Sequence, residues 1–175
     1  MRVDFRQRCA YCERPEVCLG GEESFEVDHF KPTSTFPELI THYPNLYYAC
    51  HKCNQYKGAR WPTPDQLSKG LRFADPCEED MYLDHLRECV DGNLEALTNC
   101  GRYTCGHIRL NRQDLLTWRS LKRQVADDLL RFETAKMRLE QALSSLSDAA
   151  QRTTIDDEIK AIELTTLRWR DQFGL

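Results

Sequence analysis

The chain has 175 residues, with 24 lysines and arginines against 28 aspartates and glutamates, for a formal net charge of −4. That size, with 41% hydrophobic residues, 30% charged residues and a negative mean hydropathy, fits one domain or a compact core with an appendage. It excludes a protein that simply coats nucleic acid, and no apolar run approaches the ~20 residues that span a bilayer. The opening Met-Arg-Val-Asp-Phe-Arg-Gln-Arg lacks the apolar stretch of a signal peptide, so a cytoplasmic chain is expected. Nine cysteines, an odd number, with x2 spacings and no leader favour thiolate ligands over disulfides. Residues 1–75 balance ten basic against ten acidic side chains, while 76–112 carry four against seven, so affinity for a polyanion would come in large part from a partner.

In chain order, the spacing predicts a tight hairpin at Cys9–Cys12, then a strand at Phe25–His29 after the Gly20-Gly21 turn. A loop with Pro32, Pro37 and Pro44 leads to a second strand at Leu46-Tyr47-Tyr48-Ala49. A short helix is expected to start near Cys53-Asn54 and to stop at Gly58. Residues 59–85, rich in Pro and Asp, read as irregular. Val90-Asp91-Gly92-Asn93 marks a hairpin turn between Arg87–Val90 and Leu94–Thr98. From about Arg112 apolar residues recur at steps of three, four or seven, which is a helical pattern. Thr154-x-x-Asp157 is a capping signal for a second helix, and the short Ser-Asp-Ala-Ala linker predicts an antiparallel helical hairpin.

The two Cys-x-x-Cys turns, Cys9/Cys12 and Cys50/Cys53, carry the first chemical signal. Each presents two soft ligands from one bend, and two such bends close a tetrahedral zinc site with no open position. The alternatives are unrelated buried thiols or a redox pair, and the thioredoxin-like βα pattern of a redox pair is missing. Cys100-x4-Cys105-x-His107 has no matching pair and reads as buried thiols.

The second signal is Asp28-His29, a lone Asn45 and Asn54 directly after the last cysteine. A histidine offers a base that is neutral near pH 7, and a carboxylate with an amide oxygen offers hard ligands suited to Mg2+ or Mn2+. Each of these residues alone reads as a surface or turn residue; together they read as an open site beside a closed one. Lys31, Lys52, Lys57 and Arg60 cluster around it in sequence and are candidate phosphate contacts for a DNA or RNA substrate. His51 lies inside the second cysteine turn.

Asp28-His29, Asn45-Leu46 and Cys50-x-x-Cys53-Asn54-x-x-Lys57-Gly58 resemble the HNH endonuclease motif in its zinc-stapled form, over residues 9–58. The segment from Asp75 to Arg112 resembles, more loosely, HNH nucleases of Septu-type bacterial anti-phage systems, which work beside an ATPase. The resemblance implies an α+β fold: a zinc-stapled ββα-metal core within a nuclease domain at 1–112, with a C-terminal helical hairpin at 113–175. It implies a phosphodiester hydrolase in which His29 is the general base and Asn45 orients it through the intervening loop. Asp28 and Asn54 would hold the catalytic Mg2+ or Mn2+, and Cys9, Cys12, Cys50 and Cys53 the structural Zn2+. Asn54 stands where many members have histidine. The apolar stripe of 113–175, with Trp118, Phe132, Trp169 and Phe173, suits packing on the core, a homodimer or docking to the ATPase subunit. The rival reading is a non-catalytic zinc-ribbon adaptor that binds nucleic acid or protein.

Overall fold

Strand formers make two short strands: Phe25 and Val27 alternate with acidic residues in Phe25–His29 (β1), and the adjacent Tyr47 and Tyr48 sit in the largely buried Leu46–Cys50 (β2). In the computed structural model, which describes residues 1–175, they pair antiparallel with Phe25 opposite Cys50 and His29 opposite Leu46. Helix α1, His51–Lys57, follows β2 without a linker. It starts earlier than its sequence pattern suggests because the Cys50–Cys53 turn is itself its first turn. Gly58, at φ +52°, ends it and donates its N–H to Asn54 O. The result is a ββα unit inside a mixed α+β fold.

The stretch expected to be irregular contains a short helix, α2 (Pro64–Ser68). Its signal was legible: Thr63 accepts from Gln66 N while the Gln66 side chain accepts from Thr63 N, a capping box with Pro at the first position. A five-residue π-helical turn, Met81–His85, runs into β3 (Leu86–Glu88), which pairs antiparallel with β4 (Leu94–Ala96) across the expected hairpin turn. Helix α3, Asn99–Ile108, has no clear sequence signal, because its cysteines and glycines obscure its periodicity. Gly101 explains part of that composition: a Cβ there would sit 2.1 Å from His85 O, so only glycine lets α3 approach the π-turn.

The chain divides into two compact units, Met1–Arg119 and Ser120–Leu175. The core of the first is built on Tyr11, Tyr47, Phe73, Leu86, Ile108 and Leu115, all essentially without solvent exposure. Arg119 is buried with them, its guanidinium donating to Gly92 O at 2.7 Å and to Leu110 O. Helix α4 runs from Gln113 to Ser145, so its first turns belong to the first unit. Within the second unit α4 pairs antiparallel with α5, Ala149–Phe173. Phe132 packs tilted against Trp169, ring centres 5.4 Å apart, and Glu133–Arg170 and Lys136–Glu163 pair at 3.1 and 2.6 Å. The N-cap of α5 is Asp148, which accepts from Ala150 N and Gln151 N, and not Thr154, whose hydroxyl donates back to Ala150 O inside the helix. No helix is long and apolar enough to cross a membrane.

Arg72 ties the segment before α3 together. Its guanidinium forks onto both oxygens of Glu79, at 2.5 and 2.7 Å, and His85 Nε2 sits 2.8 Å from Glu79 while its Nδ1 meets Thr98 Oγ1. The Arg72 hydrogen bonds hold the Glu79 carboxyl down to about 2. A depressed carboxylate stabilises the fold above its unfolded value near 4.5, and that contribution drains away as the pH falls from 4.5 toward 2. Glu79→Gln is therefore expected to make acid unfolding less steep over that interval, with about one proton fewer taken up, as read by urea titrations at stepped pH.

Candidate active site and metal centre

Cys9, Cys12, Cys50 and Cys53 are all buried, and their sulfurs lie within 4.8 Å of one another. Local backbone bonds shape the first turn: Glu13 N donates to Cys9 O at 2.9 Å, and Cys9 N to Arg14 O at 3.0 Å. Cys50 ends β2 and Cys53 sits in the first turn of α1, so three chain segments converge on four sulfurs. Corners of a tetrahedron with a 2.3 Å metal–sulfur bond are about 3.8 Å apart, and the Cys12 and Cys50 sulfurs are 3.9 Å apart. The hydrogen bond from Cys12 holds the Cys50 thiol far below its usual range, and the same contact pushes Cys12 up. Donors surround the cluster: Cys50 N reaches Cys9 Sγ at 3.4 Å and Arg112 Nη2 reaches Cys53 Sγ at 3.3 Å. Four buried cysteines are thus positioned to bind a metal ion, and the donor set suits a closed tetrahedral one.

Asp28 and His29 close β1. His29 is half-buried, and its Nε2 lies 2.9 Å from Ile40 O. A carbonyl only accepts, so Nε2 carries the ring proton and Nδ1 keeps its lone pair. Ile40 belongs to the loop between the strands, and Asn45 anchors that loop. Buried Asn45 accepts from Lys31 N at 2.8 Å through Oδ1 and donates from Nδ2 to Lys31 O at 3.0 Å. Phe30 N also donates to Asn45 O at 3.0 Å. One buried amide therefore clamps both ends of the loop whose carbonyl holds the histidine.

Asp28 is only 4% exposed and is gripped from both sides. Tyr11 donates its hydroxyl to Oδ2, and Lys57 donates its ammonium to Oδ1 at 2.9 Å and to His29 O at 2.7 Å. Burial first, then the Asp28 charge, pushes the Tyr11 hydroxyl far above its usual range, so it remains a donor. Burial likewise pulls Lys57 down, and Asp28 offsets that. Lys57 has no exposed surface, so it cannot face a substrate phosphate; it is an internal counter-ion that also grips the backbone of His29. Nothing local in the sequence marks it, since a lysine one residue before a helix-ending glycine usually faces water. Tyr11, between the first two cysteines, was likewise legible only as a core aromatic.

The remaining candidates are dispersed. Asn54 is half-buried on α1. Lys31 is exposed, its ammonium 5.8 Å from the Phe36 ring centre. Lys52 is exposed and pairs with Asp114 at 3.3 Å, and exposed Arg60 donates to Tyr56 O at 2.5 Å. His51 is exposed between Glu26 and Glu23 O, and the Glu26 hydrogen bond raises its pKa. Glu79, His85 and Cys100 also bring ligand atoms within 4.8 Å, but Arg72 already occupies both Glu79 oxygens, which makes this an ion-pair network.

Residues 9–60 match the HNH endonuclease family model, and the ββα layout with its four-cysteine cluster is the fold of that family. Septu protein PtuB of Bacillus thuringiensis is 43% identical over 80 residues, which are 40% of this chain and 30% of that protein. The match thus spans less than a third of that relative's length. No solved structure gives a significant match.

Removing one member of a buried ion pair leaves the other charge uncompensated. Lys57→Met is expected to lower stability by about 3–5 kcal/mol, and adding Asp28→Asn to recover part of it. A double-mutant cycle in urea measures the coupling.

Proposed function

We propose that the chain is a divalent-metal-dependent HNH endonuclease that hydrolyses nucleic-acid phosphodiester bonds, with structural zinc on Cys9, Cys12, Cys50 and Cys53. The observation that carries this is the Asp28-His29 step: a histidine whose free lone pair is set by Ile40 O, beside a buried carboxylate held by an ammonium. His29 Nδ1 takes the proton from the attacking water. Asn45 positions the base by pinning the loop that carries Ile40. Each Asp28 oxygen has one hydrogen-bond donor and keeps one lone pair, and with Asn54 on the adjoining helix this hard-oxygen set fits Mg2+ or Mn2+. When bound, such a cation supplies charge neutralisation at the phosphate and the leaving oxygen. Lys57 pairs with the Asp28 carboxylate and fixes the backbone of His29. Lys31, Lys52 and Arg60, all exposed, supply phosphate contacts.

We place the chain in bacterial anti-phage defence, as an effector acting beside an ATPase in the cytoplasm; the similarity to Septu protein PtuB supports the defence setting. Residues 113–175, beyond a nuclease domain at 1–112, serve as the docking or homodimer element. Support comes from Leu130, Met137, Leu164 and Leu167, which stay more than 60% exposed on α4 and α5. The second reading, a non-catalytic zinc-ribbon adaptor, is favoured by one feature: both Asp28 oxygens already hold hydrogen bonds inside the protein.

The deciding assay is cleavage of supercoiled plasmid and of total tRNA with EDTA, Mg2+ or Mn2+. Wild type is expected to cut one polymer only with the metal, and His29→Ala to lose about 10²–10⁴-fold in rate while keeping its fold. Cutting undiminished in His29→Ala removes the mechanism; a wild type that binds but never cuts, with an ATPase present or absent, selects the adaptor. Metal analysis is expected to find one zinc per chain, and Cys12→Ser or strong chelation to unfold residues 1–60 cooperatively, as seen by loss of near-UV dichroism.

A further inference from the structure

Zinc held by four thiolates is a doubly negative centre, and in a protein interior that charge needs cations around it. One carboxylate organises them. Asp114, in the first turn of α4, pairs with Arg14 Nη1 at 3.2 Å, with Lys52 Nζ at 3.3 Å and with Arg112 Nε at 3.1 Å. Arg14 lies two residues past Cys12, and Lys52 lies between Cys50 and Cys53, so Asp114 draws one cation from each cysteine turn. Three cations about one carboxylate leave a surplus of two positive charges in this group.

Arg112 is the one of the three that reaches a sulfur. Its side chain is only 9% exposed, and each guanidinium nitrogen is engaged differently. Nη1 donates to Ile108 O and Arg109 O at the end of α3, both at 3.3 Å. Nε faces Asp114, and Nη2 donates to Cys53 Sγ at 3.3 Å. A neutral thiol is a weak acceptor and would leave a buried guanidinium N–H poorly satisfied. A metal-bound thiolate is anionic, and a charge-assisted bond to it is a strong one.

We propose that Arg112 is an outer partner of the zinc centre, donating to the Cys53 thiolate and lowering its reactivity, with Asp114 as the positioning residue that aims it. The inference rests on the structural-zinc reading above. A hydrogen bond to a metal-bound sulfur lowers the energy of its lone pairs, so the thiolate is a poorer nucleophile and zinc is lost more slowly. The protection falls on Cys53, since Cys9 Sγ takes its donor from the Cys50 backbone and not from a charge.

The test treats full-length, zinc-loaded protein with N-ethylmaleimide, following each cysteine by mass spectrometry and zinc release with a chromogenic chelator. Arg112→Met is expected to release zinc about 10–100-fold faster than wild type, with Cys53 the first of the four to be alkylated. Arg112→Lys, which keeps a charge, is expected to fall nearer wild type, and Asp114→Asn between the two, again with Cys53 first. In Co2+-loaded protein, Arg112→Met is expected to move the sulfur-to-cobalt absorption band to longer wavelength, which loss of a mere helix brace would not do. Unchanged zinc release with an unmoved band in Arg112→Met overturns the proposal. So does faster release in which the four cysteines react alike and the band stays put, which would make Arg112 a brace between α3 and α4. A lysine variant as reactive as the methionine variant overturns it as well. If Arg112→Met does not fold, the order of alkylation and the band in Asp114→Asn decide in the same way. A wild type that holds no zinc overturns the structural-zinc reading and this inference with it; zinc held equally well by wild type and all variants overturns this inference alone.

Discussion

Two strands of five residues and a seven-residue helix bury too little on their own to hold a fixed geometry. The sulfurs of Cys9, Cys12, Cys50 and Cys53 converge from the N-terminal turn, the end of β2 and the start of α1, positioned so that one metal ion would tie all three to one point. Because Cys50 closes the strand and Cys53 lies in the helix, α1 has no freedom to begin elsewhere. Its seventh residue, Lys57, is then carried under β1, and the candidate site forms where helix and strand meet.

What forms there is an electrostatic compromise. An ammonium without solvent exposure is expensive to bury, and so is the carboxylate it meets. A well-packed apolar pair would serve stability as well or better, which argues that the charges are kept for position. Lys57 joins α1 to both residues of the Asp28-His29 step, through the side chain of one and the backbone of the other. Tyr11 adds a third segment, the cysteine turn itself, to the same carboxylate. The cysteine cluster and the candidate site are thus linked through Tyr11, which lies between Cys9 and Cys12 and donates to Asp28.

The histidine is positioned by a separate device. Asn45 spends its whole amide on loop backbone, and the loop returns one carbonyl, that of Ile40, to the His29 ring. A buried amide that satisfies both its donor and its acceptor rigidifies the loop without needing an apolar core of its own. In the second unit the same economy is absent. The hairpin of α4 and α5 buries one seam, with Phe132 on Trp169, and leaves leucines and a methionine facing outward.

The sequence by itself determined whatever depends on spacing along the chain. The x2 cysteine turns, the two strands with Asp28-His29 at the end of the first, the hairpin at Asp91-Gly92 and the heptad-like run of α4 are all local patterns, and they are where the structure places them. The Thr63 capping box is local too and could have been read. Only the tertiary structure decided how side chains far apart in sequence meet: Lys57 as the buried partner of Asp28 and not a surface cation, Tyr11 as the donor to its other oxygen, and Arg72 and His85 both joined to Glu79. The physical reason is that burial and pairing depend on what the rest of the chain brings to a residue, and a lysine or an arginine has the same local preferences in water as beside a carboxylate or a ring. Helix α3 shows the same limit, since its glycine is explained by a carbonyl sixteen residues earlier, at His85.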